Sequence, residues 1–168
     1  MNIYYLDSDP QTCAQYHADS HVCKMILETA QILCTALRIN GLTGNCGLYA
    51  ATHVHHPCVK WAANYQPNFA WLQQLGFYLC EEYTYRYGRE HKSEAIIHRA
   101  LSFVNSVSWP EEATIRFPQC MPAVYKDEFD CRSAYRNYYL GEKTHLLKYT
   151  RRHVPDFIAC MALGEHKD

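Results

Sequence analysis

A chain of 168 residues is long enough to bury one hydrophobic core and short for two, so the sequence predicts a single domain spanning residues 1–168. A formal net charge of -1 excludes a global field that would draw the protein onto DNA or an anionic membrane, and leaves any anion site to be local. Nine cysteines are an odd number, there is no C-x-x-C pair, and Cys23, Cys34 and Cys80 sit in apolar helical patterns, so free core thiols are expected rather than a disulfide scaffold or a zinc ribbon.

The opening "MNIYYLDSDP" lacks the basic region, apolar core and cleavage site of a signal peptide, and no apolar run approaches bilayer length. A cytoplasmic protein without membrane contact is therefore expected. "NIYYL" reads as a lone strand or an extended anchor. "DSDP" caps a short helix over residues 10 to 17, with proline at its first position. Asp19 or Ser20 is expected to cap a longer helix running to about Ile39, where "NGLTG" ends it. Residues 40 to 56 read as loop.

Pro57 starts a short helix, and Pro67 a long one that Gly88 closes. Ser93 caps "EAIIHRALSFV". Residues 106 to 128, with prolines at 110, 118 and 122, read as irregular. Asp130 caps a final helix that stops before Pro155. The expected fold class is mainly α: a compact helical domain of about five helices with a short extended N-terminal segment.

The second of these helices carries a line of polar residues. At about 100° per residue, positions 17, 21, 24, 28, 31 and 35 fall within about 40° of a common direction. His17, His21, Lys24, Glu28, Gln31 and Thr35 occupy them, while apolar side chains fill a far wider arc than a surface helix devotes to its core. The phase of His17 is not fixed if Asp19 caps the helix. A solvated stripe with an i,i+4 ion pair between Lys24 and Glu28 explains the pattern, and so does the polar wall of a pocket. A divalent metal is a further reading, since His17 and His21 are four apart and "THVHHP" adds His53, His55 and His56. No H-E-x-x-H or other ordered ligand pattern backs it, so no cofactor is predicted.

Aromatic and basic residues interleave in "CEEYTYRYGREHK" and "AYRNYYLGEKTHLLKYTRR". Residues 130 to 152 hold six basic and two acidic side chains, a local excess of four positive charges. Arg132, Arg136, Tyr139 and Lys143 share one arc there, suited to phosphate and to a stacked base. An amphipathic helix whose tyrosines belong to the core is the alternative. Glu82, Arg86 and Arg89 can pair along a helix end without any ligand. Lys60, beside Trp61, is a phosphate contact, a Schiff-base lysine or an ordinary surface lysine. No Walker loop, G-x-G-x-x-G, G-x-S-x-G or Cys-His-Asn signature occurs.

"MNIYYLDSDP", "HADSHVCKMILETAQ", "HPCVKW", "LCEEYTYRYGREHKSE", "FPQCMP" and "AYRNYYLGEKTH" resemble, over most of the chain, the blocks of a family of small, functionally unassigned proteins encoded by tailed bacteriophages. Family members often carry a lysine where this chain has Ser20, so that position receives no role. The resemblance implies a host bacterial cytoplasm and one of three jobs: modifying DNA bases, handling nucleotides, or capturing the nucleotide signals of bacterial defence.

Two functions follow. The first is a binding protein that sequesters a nucleotide-derived small molecule. His17, His21, Lys24, Glu28, Gln31 and His55 form one wall of its pocket, and Arg132, Arg136, Tyr139 and Lys143 the other. The second is an enzyme acting on a nucleotide or DNA base, a glycosylase, lyase or base-modifying transferase with optional metal assistance. In it Glu28 is the acid or base, His21 its partner, and Lys24 or Lys60 the nucleophile or electrostatic support. Near-neutral charge and the lack of a reading helix argue against duplex DNA as a partner. Homo-oligomerisation is left open.

Overall fold

A computed structural model describes residues 1–111 and 116–164, and among these seven α-helices and no strands are found. Residues 112–115, part of the stretch expected to be irregular, lie outside the described residues. The helices are α1 (Pro10–Tyr16), α2 (Asp19–Ile39), α3 (Pro57–Asn64), α4 (Gln66–Tyr87), α5 (Glu94–Leu101), α6 (Cys131–Glu142) and α7 (Asp156–Gly164). No helix among them is long and apolar enough to cross a membrane.

Helix α2 is the centre, packed by α3, α4 and α5, and fourteen of its twenty-one residues are buried. Its wide apolar arc from Val22 to Leu37 leaves no room for a solvent face of ordinary breadth. Gly76 lets α4 approach closely: a Cβ there would lie 3.0 Å from Thr29 Cγ2 and 3.2 Å from Ile97 Cδ1. Helix α4 ends as expected at Gly88, whose φ of 68° is the left-handed conformation that glycine adopts without a Cβ clash. Asp9 caps α1 by accepting from Thr12 N, and Asp130 caps α6 by accepting from Ser133 N.

Three expectations about helix ends are corrected. Neither Asp19 nor Ser20 caps α2: Ala18 is the N-cap, without a side-chain bond. The Asp19 carboxylate is taken instead by Arg86 Nη1 (2.9 Å), Thr150 N (2.9 Å) and Thr150 Oγ1 (2.7 Å). Ser93 makes no side-chain cap for α5, because its hydroxyl meets Tyr49 Oη at 3.0 Å. The final basic helix does not run to residue 152. It ends at Glu142, and the chain then turns so that Lys148 O accepts from Asp19 N (2.8 Å) and Arg152 reaches Glu82. Long-range bonds to α2 and α4 thus outweigh continued helix formation, and the six basic residues are split between two structural contexts.

Residues 1–7 form neither helix nor strand, and Leu6 N donates to Tyr4 O at 3.1 Å. They lie against the helices as an anchor, with Ile3, Tyr4 and Leu6 buried. Tyr4 stacks on His21 (centroids 4.5 Å apart) and meets Tyr139 edge-on at 5.2 Å. Tyr5 lies against Phe117 at 4.4 Å. Arg136 binds the end of this segment, with Nε donating to Leu6 O (2.8 Å) and Nη2 to Asp7 Oδ2 (3.0 Å).

Candidate active site

The anchored segment delivers its first two residues to Glu28. The main-chain N–H of Asn2 donates to Glu28 Oε2 at 2.8 Å, and the α-amine of Met1 lies 3.8 Å from the same oxygen. Lys24 Nζ stands 3.4 Å from Oε1, one helical turn before Glu28. The carboxylate is almost buried, Met1 is partly buried and Lys24 is exposed. A carboxylate held by one main-chain donor and flanked by two amines is equipped to move protons for an amine that reacts.

Asn2 is locked by its own side chain. Its Nδ2 donates to Cys120 O (3.0 Å), and its Oδ1 accepts from Ile3 N (2.8 Å) and from the Tyr135 hydroxyl (2.9 Å). That hydroxyl lies 2.8 Å from Pro118 O and accepts from Cys120 N at 3.2 Å. One fully buried tyrosine of α6 therefore ties the N-terminus to the loop of residues 116–130. Burial and the surrounding thiols push its phenol far above the ordinary range, so it stays protonated.

Beside this group, His56 caps α3 by accepting from Cys58 N (3.2 Å), and the sulfurs of Cys58 and Cys120 are 3.6 Å apart. The bond between the thiols eases ionisation of the less buried one. Cys120 is held down to about 7, while Cys58 is pushed up. The Met1 amine is close enough to bear on all three residues electrostatically.

The polar line of α2 does not face one pocket. His21 is buried, with Nδ1 2.5 Å from the Tyr139 hydroxyl. Its pKa falls to about 3, through burial and then the neighbouring His17, Lys143, Lys24 and His145. His17 precedes the helix, is fully buried, and directs Nδ1 to Cys13 O (2.7 Å). Burial holds it near 4, and its Nε2 has no partner among the described residues. Thr35 turns to Gln31 O and Thr52, and Gln31 is half-buried. Glu28 alone, with Lys24, serves the N-terminal group.

The expected opposite wall is not available as one. Tyr139 is fully buried and offers no face for a stacked base. Arg136 is spent on Leu6 and Asp7 and lies over the Phe157 ring at 4.9 Å, because the N-terminal segment needs an anchor there. Lys143 sits over Tyr138 at 4.9 Å. Arg132 is exposed. His53, His55 and Lys60 are also exposed, and His53 Nδ1 meets Thr52 Oγ1 at 2.8 Å. The imidazoles of His17, His21 and His53 therefore do not gather as metal ligands, whereas His56 stands with two cysteines that the histidine pattern had not included.

Glu82 and Arg86 pair as expected, but inside the protein. Arg86 Nε donates to Glu82 Oε1 (2.6 Å), and its Nη atoms reach Asp19, His17 O and Gln15 O. Arg152 closes the network with two nitrogens on Glu82.

Sequence reasoning missed Met1, Asn2, Cys58 and Cys120, and offered Tyr135 only as a ring to stack a base. Their only signal was the quoted blocks "MNIYYLDSDP", "HPCVKW", "FPQCMP" and "AYRNYYLGEKTH", which now meet in space. In comparisons with known proteins, a family model described as pyrimidine dimer DNA glycosylase matches residues 1–95, more than half of the chain. The matched segment contains Met1, Asn2, Lys24, Glu28, His56 and Cys58. No curated protein and no solved structure matches.

Proposed function

The chain belongs to the pyrimidine dimer DNA glycosylase family, and from that premise we propose that it excises a damaged pyrimidine from DNA through an amine held at Glu28. The family has a described activity where the phage resemblance pointed to an unassigned one, and it favours the enzyme over the nucleotide sponge. The observation that carries the proposal is the placement of the Met1 amine 3.8 Å from Glu28 Oε2, with Asn2 N–H fixing that oxygen.

In the proposed reaction the amine lone pair attacks C1′ of the damaged nucleotide. The glycosidic bond breaks with its electron pair going to the leaving base, which takes a proton from water. The nitrogen gives a proton to Glu28, which returns it to the sugar ring oxygen as the ring opens, leaving an iminium between protein and DNA. Met1 is preferred to Lys24 because its side chain is packed into the protein beside the carboxylate and its amine is placed there by the Asn2 bond, whereas the Lys24 side chain is 62% exposed.

Duplex DNA, disfavoured by net charge, becomes the proposed substrate. Support comes from the loop that carries Cys120. It presents Arg116 and Lys126 exposed, with Phe129 95% and Val124 82% exposed, and Arg132 follows in α6. Exposed apolar tips suit a duplex that must be opened before a base is reached. Capture of a free nucleotide draws no support from the two polar walls, since Arg136 and Tyr139 are consumed by the fold.

The test is borohydride trapping on duplex DNA carrying a cyclobutane pyrimidine dimer, with undamaged duplex as control. A covalent adduct that maps to the Met1 peptide is expected. An adduct on Lys24 or Lys60 would reassign the nucleophile. Damaged DNA recovered unaltered, with no adduct, would overturn the proposal.

A further inference from the structure

The cluster of His56, Cys58 and Cys120 is not used by the proposed reaction. A ring nitrogen of His56 and the two sulfurs lie within 4.8 Å of one another. Around a tetrahedral zinc-class ion, with metal–sulfur bonds of about 2.3 Å, two thiolate sulfurs stand about 3.8 Å apart. Cys58 and Cys120 stand at 3.6 Å. That is also the contact distance of two unreacted thiols, so the third donor decides the matter: His56 brings a ring nitrogen within 4.8 Å of both sulfurs.

The scaffold under these donors is rigid. Cys58 is fully buried in the first turn of α3, His56 is that helix's N-cap, and Cys120 is fixed through its main chain by Asn2 Nδ2 and the Tyr135 hydroxyl. Two soft sulfurs and one imidazole form a donor set that selects zinc-class ions over magnesium or calcium. We propose that His56, Cys58 and Cys120 form a binding site for a zinc-class divalent ion that clamps the start of α3 to the loop carrying Cys120. Three protein ligands leave one coordination position open, on a site adjoining the Met1 amine. The proposal stands whatever reaction the protein catalyses.

The probes are cadmium and cobalt ions, each added alone to freshly reduced full-length protein. Expected are one equivalent bound, an ultraviolet thiolate-to-cadmium band, the visible spectrum of tetrahedral cobalt, and a raised melting temperature. Cys120→Ser and Cys58→Ser should each weaken binding by at least about tenfold. His56→Asn, which keeps a capping acceptor, should weaken it too, while Cys131→Ser should not. Far-ultraviolet dichroism checks that each variant is helical. Reduced protein that takes up no cadmium would overturn the site, as would an undiminished band in the folded Cys120→Ser and His56→Asn proteins. A Cys58–Cys120 disulfide on mild oxidation of protein that binds no metal would identify a thiol pair instead.

Discussion

Asn2 and Glu28, twenty-six residues apart, are joined by a 2.8 Å bond from the main-chain N–H of one to the carboxylate of the other. That bond fixes the direction in which the N-terminus leaves the protein and places the Met1 amine beside a nearly buried anion. A carboxylate in this position both holds the segment and serves the chemistry, and substitution at Glu28 will report on both.

Glu28→Gln keeps an oxygen for the Asn2 N–H and removes the group that exchanges protons. Excision of pyrimidine dimers should fall about 10²- to 10⁴-fold, the range for losing a general acid–base, with affinity for damaged duplex within a few-fold. Single-turnover assays beside equilibrium binding separate the two. Unchanged excision would remove Glu28 from the reaction.

Tyr135→Phe deletes a hydroxyl shared among Asn2 Oδ1, Pro118 O and Cys120 N. A loss of about 1–3 kcal/mol in stability is expected, because buried polar partners are left unsatisfied. The trapping yield with the damaged duplex should fall as well, since Asn2 loses one of its restraints. A variant that is less stable yet traps as well as the parent would make Tyr135 a packing residue only.

Phe129→Ala removes a ring that is 95% exposed. Stability should change by less than about 0.5 kcal/mol, as at surface sites without partners, while affinity for damaged duplex drops several-fold if the ring enters the helix. Equal affinities in a fluorescence-anisotropy titration would take the loop tip out of the DNA contact.

The buried network predicts a different cost. Arg86 is 2% exposed and bonds Glu82, Asp19 and two main-chain carbonyls. Arg86→Met should destabilise by roughly 3–5 kcal/mol, because it leaves buried carboxylates without their counter-charge. Chemical denaturation measures it. A loss under about 1 kcal/mol would mean that Arg152 alone satisfies Glu82.

Acid should unfold the protein partly through two histidines. His17 is held near 4 and His21 near 3, both chiefly by burial, against an unfolded value of 6.5. The unfolded chain thus binds more protons below pH 6.5. The stability from burying neutral imidazoles is complete above that pH and is lost as pH falls through about 6.5 to 4 for His17 and on to about 3 for His21. Denaturation midpoints at pH 7 and pH 5 should differ, and His21→Gln should lessen the difference. Identical slopes in parent and variant would assign the acid response to other groups.

Local features were readable in advance because they rest on local physics. Pro10, Pro57 and Pro67, the caps Asp9 and Asp130, and Gly88 act on their own turns of backbone. The wide apolar arc of α2 announced a central helix, and the i,i+4 spacing of Lys24 and Glu28 gave their ion pair. Where a side chain had a distant competitor, local rules failed. Asp19 left its helix end for Arg86 and Thr150, Ser93 turned to Tyr49, and the basic run after Glu142 gave up helix to reach Asp19 and Glu82.

By itself, then, the sequence determined a helical protein with a polar line on a buried helix and Glu28 within that line, since periodicity is a property of one segment. Only the tertiary structure decided that His21 and Tyr139 face each other in the core, that Arg136 holds the N-terminal segment, that Met1 and Asn2 meet Glu28 while Tyr135 and Cys120 hold Asn2, and that His56 and Cys58 stand beside Cys120. Their separations along the chain reach 133 residues. Contacts of that range carry no periodic signal, because they are set by how whole helices pack and not by the residues beside them.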